Sequence, residues 1–122
     1  MQEALSIILV VDHDPLTLEL YQRTLGAYFQ VKSANDQSKA IQWIASEKLS
    51  AVVLEPAGWG DGGLFLLTAL KASPLNHSVP VILCTTLDER QFVRELGVAD
   101  YLVKPVLPTT LRQILSRFLH LP

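Results

Sequence analysis

The sequence holds a single cysteine, Cys84, so no disulfide can form within the chain, and a reducing compartment is the simplest expectation. It lacks any apolar run long enough to cross a bilayer. Its first residues, "MQEALSIILVVD", carry glutamate in place of a basic region and have no small-residue cleavage site, so they do not read as a signal peptide. It lacks a basic excess as well: the formal net charge of −2 argues against electrostatic binding of nucleic acid. Internal repeats, low-complexity tracts and linkers are also missing. These absences predict a cytoplasmic module forming one domain over 1–122, without membrane or nucleic-acid contact.

What is present suffices for a fold. At 122 residues, with 49% hydrophobic and 18% charged side chains, the chain can bury a core without staples or structural metal. "SIILVV" (6–11) reads as a strand buried on both faces. Asp14 followed by Pro15 starts a helix, in which Leu16, Leu20, Thr24 and Tyr28 recur at helical spacing. "FQVKSA" (29–34) alternates like an outer strand, and Asp36 caps a second helix with Ala40, Ile41, Ile44 and Ala45 as its apolar stripe. "AVVL" (51–54), "VPVILC" (79–84) and "DYLV" (100–103) supply three more strands. Helices are expected from Leu64 onward, over 87–96, and around Leu111, Ile114, Leu115 and Phe118. Alternating strands and helices imply right-handed crossovers and a doubly wound α/β fold, a five-stranded parallel sheet covered on both sides. In such sheets the working site lies beyond the carboxyl ends of the strands.

Reading those ends collects a polar set. The first strand ends in Asp12-His13-Asp14, the third in Glu55, the fourth in Thr85-Thr86 and the fifth in Lys104-Pro105. Each alone has an ordinary explanation: Asp14 as a helix cap, Thr85 as a strand-end residue, Lys104 as a surface cation. Their joint placement in one crevice, from distant segments, argues for a shared site.

With these residues assembled, the sequence resembles a receiver domain of the bacterial two-component response regulators, from about residue 6 to 119. "ILVVDHDP" resembles the family's opening strand and acidic pair, "VPVILCTT" its threonine-bearing fourth strand, and "GVADYLVKP" its lysine-proline motif. The resemblance implies a flavodoxin-like (βα)5 fold of strand order 2-1-3-4-5. It also implies an aspartate after the third strand that accepts a phosphoryl group from a histidine kinase. Magnesium, held partly by the acidic pair, would neutralise the transferring oxygens. By position, Thr85 corresponds to the switch hydroxyl, Tyr101 to the rotating aromatic, Lys104 to the conserved-type lysine, and Pro105 to the proline of a typically cis bond.

Two positions depart from that pattern. The phosphoacceptor position is Glu55, and the second member of the acidic pair is His13, leaving Asp12 alone as a candidate metal ligand. Magnesium demands octahedral oxygen coordination and is rarely served by imidazole, so weak or absent magnesium binding is expected. Glutamate also moves the carboxylate outward by roughly 1.5 Å. Phosphoryl transfer is mostly positioning, and a misplacement near 1 Å can cost about a hundredfold. The expectation is a pseudo-receiver that is not an enzyme: Glu55, Asp12 and Lys104 form a fixed polar cluster in which Glu55 is a permanent charge facing Lys104, and output passes through protein contact. Its partners would be a histidine kinase or an output protein. The face built from the fourth helix, fifth strand and fifth helix, with Phe92, Val93 and Tyr101, would serve effector binding or a homodimer.

Two alternatives stay open at this level. Asp12, His13 and Glu55 could hold a transition metal such as zinc or manganese in a sensor, or the chain could retain some phosphorylation and autophosphatase-like activity. Among the remaining residues, Asp61 reads as a helix cap, Trp59 as a partner anchor or a lid, and Cys84 as a buried small hydrophobe. His77 and His120 read as surface residues.

Overall fold

The computed structural model describes residues 6–56, 63–85 and 97–119. Five strands form one parallel sheet: β1 (Ile7–Val11), β2 (Gln30–Ala34), β3 (Ala51–Leu54), β4 (Val81–Thr85) and β5 (Asp100–Val103). Their order across the sheet is β2-β1-β3-β4-β5, so the chain reverses direction of travel between β2 and β3, on either side of β1. The described helices are α1 (Pro15–Leu25), α2 (Gln37–Ser46), α3 (Leu64–Ala72) and α4 (Pro108–Phe118). The helix expected over 87–96 lies outside the described residues, so the final helix carries the label α4.

Local chemistry explains the element boundaries. Asp14 caps α1 by accepting from Leu16 N at 3.1 Å and from Thr17 Oγ1 at 2.8 Å, and Pro15 occupies the first helical turn. Asp36 caps α2 through Lys39 N at 2.7 Å. The position before α3 is held by Gly63 at φ 83°, a left-handed conformation that a side chain would strain. A Cβ there would also sit 3.1 Å from Leu54 Cδ2. The fourth strand begins at Val81, not at Val79, because Pro80 has no N–H to give the ladder; its carbonyl accepts from Val52 N instead.

The core has two layers, one on each face of the sheet. Ile8, Val10, Val53, Ile82 and Cys84 pack against α1 and α4 on one face. Leu9, Val11, Val52, Leu54 and Leu83 pack against α2 and α3 on the other. Alternate residues of every central strand are therefore buried, which is why these strands read as continuous apolar runs. On α4 the expected stripe is the buried one: Leu111, Ile114 and Leu115 are buried and Phe118 is half-buried.

The sequence reading of α1 requires a correction. Of the expected stripe, Leu16, Leu20 and Thr24 face outward, with Leu16 75% exposed, and Tyr28 lies beyond the end of the helix at Leu25, while Leu18, Tyr21 and Leu25 enter the core. The helix carries two apolar stripes, and the crossover geometry seats the other one. The stripe of α2 holds in part: Ala40 and Ile44 are buried, Ile41 is half-buried and Ala45 is exposed.

Candidate functional site

The parallel sheet carries the end of each strand to the same edge. Asp12 follows β1 directly and its N–H bonds to Ala34 O, while Glu55 follows β3 and its N–H bonds to Val11 O at 2.9 Å. Those two backbone links set both carboxylates at one level beside each other, each only 2% exposed. Thr85 ends β4 and is buried; its carbonyl accepts from Lys104 N at 2.7 Å, which fixes the start of the loop after β5. The Lys104–Pro105 peptide bond is cis.

Lys104 reaches back across the crevice. Its Nζ donates to Asp12 Oδ2 at 2.7 Å and lies 3.2 Å from Glu55 Oε2. The shorter bond goes to Asp12, and the Glu55 contact is the longer ion pair. Burial alone would lower the lysine pKa. The Asp12 hydrogen bond and the charges of Asp12 and Glu55 outweigh it and hold the pKa above 10.5. The second Asp12 oxygen, Oδ1, accepts from Asp14 N at 2.9 Å. Both Asp12 oxygens are thereby engaged within the protein.

The flanking residues separate into those brought to this cluster and those kept away. His13 is exposed on its side-chain atoms to 53%, with Nδ1 4.0 Å from Asp12 Oδ1. The Asp14 carboxylate is committed to the first turn of α1, where its bonds with Thr17 and Leu16 hold its pKa below the ordinary value. Among the described residues, no group of three His, Cys, Asp or Glu side chains is placed to hold a metal ion, so the trio Asp12, His13 and Glu55 is not assembled as a metal centre. Tyr101 sits on β5 beside Leu83, half-buried against the α2–α3 side of the core. Pro105 is exposed. Thr86, Trp59, Asp61, Phe92, Val93 and His120 lie outside the described residues.

Sequence reasoning missed Tyr21, which α1 buries close to this cluster. Burial, with the neighbouring Cys84 adding to it, pushes its hydroxyl up to about 12. Tyr21 and Lys104 line one cleft together with Thr17, Leu20, Pro105 and Val106. The available signal was the second stripe of α1, three residues on from Leu18. Cys84 is buried, and loss of hydration raises its thiol to about 12, so it is inert at neutral pH.

The comparisons with known proteins agree with this geometry. The family model for the response regulator receiver domain matches residues 8–116. The chain is 32% identical over 103 residues to the response regulator PleD of Caulobacter vibrioides, covering 81% of this chain and 23% of that protein. It is 32% identical over 95 residues to the cyclic di-GMP phosphodiesterase response regulator RpfG of Xanthomonas campestris, covering 75% and 25%. The chain thus spans about a quarter of the length of these curated relatives. In structure it is similar to the chemotaxis protein CheY4 of Vibrio cholerae, with a TM-score of 0.84 at 22% identity over 94% of this chain and 99% of that one. It also matches the BeF3-activated DrrB receiver domain, with a TM-score of 0.78 at 26% identity over 95% and 98%. The chain belongs to the response regulator receiver domain family, the signalling modules of two-component systems.

Proposed function

We propose that this chain is a pseudo-receiver: a non-enzymatic signalling module that acts by protein contact and does not use the standard aspartyl phosphorylation. The observation that carries this reading is the Lys104 ammonium bound at 2.7 Å to Asp12 and paired at 3.2 Å with Glu55. A glutamate at the acceptor position supplies a permanent negative charge to the lysine. It is a partial substitute for a phosphoryl group, bringing about one charge and two oxygens against roughly two charges and three oxygens.

The donor set does not fit magnesium. Both carboxylates are paired with Lys104, and the neighbouring position that would offer a third is the exposed imidazole of His13. Magnesium takes oxygen ligands in near-octahedral array and parts with its water reluctantly, so it would have to displace the lysine to gain two carboxylates. Glu55 is therefore a fixed charge and not a nucleophile, and no phosphoryl-transfer step is assigned to this chain.

Its partners are signalling proteins, a histidine kinase or an output protein. Output is assigned to the face of β5, with Tyr101, and α4; the segment 87–96, expected on the same face, lies outside the described residues. The same face is available for a homodimer. Incubation with acetyl phosphate or phosphoramidate and magnesium, followed by intact-mass spectrometry, tests the reading. The mass is expected to stay unchanged; a phosphoryl adduct on Glu55 or Asp12 would overturn it, as would a beryllofluoride-dependent spectral change at modest concentration.

A further inference from the structure

Among the described residues, β2 forms one edge of the sheet and is bonded only to β1. Gln30 N donates to Ser6 O, and Ala34 O accepts from Asp12 N. Backbone groups alternate along a strand, so Gln30, Lys32 and Ala34 turn theirs towards β1 while Val31 and Ser33 turn theirs outward. Such an outward row is the template on which another strand can pair.

One of those outward groups is already taken. The Trp43 indole, carried by α2, donates from Nε1 to Ser33 O at 3.0 Å. The ring is held in place from both elements. Lys32 Nζ of β2 lies 4.7 Å from the ring centroid and Lys39 Nζ of α2 lies 4.6 Å from it. Lys32 is itself within 4.0 Å of Glu47 Oε1, at the end of α2. None of these residues belongs to the Asp12–Glu55–Lys104 cluster.

We infer that Trp43 guards the open edge of the sheet, its N–H occupying the Ser33 carbonyl and so withholding β2 from the β2 strand of a second copy of this chain. The geometry of self-pairing identifies that partner. A two-fold axis at Lys32 sets Val31 of one strand opposite Ser33 of the other, which is self-complementary. Each rung of that ladder needs Val31 N–H to reach a Ser33 carbonyl. With an indole on both Ser33 carbonyls, each Val31 N–H meets an acceptor already engaged, so two of the four central hydrogen bonds are weakened.

The test compares the wild-type chain with Trp43→Phe and Trp43→Leu by sedimentation velocity over a concentration series, with native far-UV circular dichroism required of each variant. Phenylalanine keeps a ring under the lysines and removes only the donor. Self-association about tenfold tighter than wild type is expected, the scale of one or two hydrogen bonds regained. Adding Ser33→Pro, which deletes an outward N–H that β1 does not use, is expected to return either variant to wild-type behaviour. Folded variants that associate no more tightly than wild type overturn the inference, as does association that Ser33→Pro leaves unchanged. Loss of native structure in both single variants overturns it too, because the indole would then be holding the fold and not guarding an edge.

Discussion

Lys104 Nζ and Asp12 Oδ2 are 2.7 Å apart although 92 residues separate them in the chain. The contact joins the end of β5 to the end of β1, with Glu55 of β3 between them, so one ammonium ties the carboxyl ends of three strands together. This arrangement makes the lysine a structural cation of the site, and its removal is expected to lower stability.

Replacing Lys104 with methionine leaves two nearly buried carboxylates without the ammonium that pairs with both. A loss of about 3 kcal/mol is expected at pH 7, the low end for breaking a buried ion pair because the ammonium is partly exposed. Urea unfolding of Lys104→Met and wild type at pH 7 measures the loss; equal stabilities would contradict the charge argument.

Alkaline conditions are expected to destabilise the wild-type chain from about pH 9 upward. Burial raises Cys84 from 9.0 to about 12 and Tyr21 from 10.0 to about 12. Lys104 also stands above 10.5, with burial opposing and the Asp12 and Glu55 contacts prevailing. In all three the folded protein binds the proton more tightly than the unfolded chain. Their contribution is complete below the unfolded values and is lost as the pH rises through the folded ones. Cys84→Ala should flatten the earliest part of the decline, between about pH 9 and 10, in a series of urea melts.

Asn76 is the other buried polar side chain with a fully described set of partners. It accepts from Leu49 N at 2.8 Å and donates to Ile44 O at 2.8 Å and to Glu47 O at 2.9 Å, tying the end of α2 to the loop before β4. Asn76→Ala orphans three backbone groups and should cost about 3 kcal/mol. Faster hydrogen exchange at the Leu49 amide would localise the effect, while a change confined to global unfolding would argue against this account.

If residue 55 is the acceptor position as proposed, the double substitution Glu55→Asp with His13→Asp supplies a short carboxylate there and an oxygen donor beside Asp12. Thr85 and Lys104 already stand at the ends of β4 and β5. Magnesium-dependent phosphorylation by acetyl phosphate is expected in the double variant, and a single aspartate at residue 55 should gain less. Intact-mass spectrometry distinguishes the variants, and a double variant that stays unmodified would show that other parts of the site have diverged.

The sequence by itself determined the alternation of strands and helices, because strands buried on both faces must read as apolar runs and helix starts need caps such as Asp14 and Asp36. It also determined which residues meet at the working edge. A parallel sheet delivers the ends of its strands to one side, so Asp12, Glu55, Thr85 and Lys104 could be collected by inspection. The face of α1 that enters the core was decided only in three dimensions. Leu16 and Leu20 are as apolar as Leu18 and Leu25, and periodicity cannot rank two stripes on one helix. Which carboxylate binds the lysine more closely was likewise beyond the sequence: Glu55 and Asp12 were both expected to cluster with Lys104, and Asp12 is the nearer one. Contacts such as Asn76 with Ile44 and Trp43 with Ser33 left no sequence signal either. They join backbone carbonyls, which every residue carries alike, so only packing selects which one a side chain reaches.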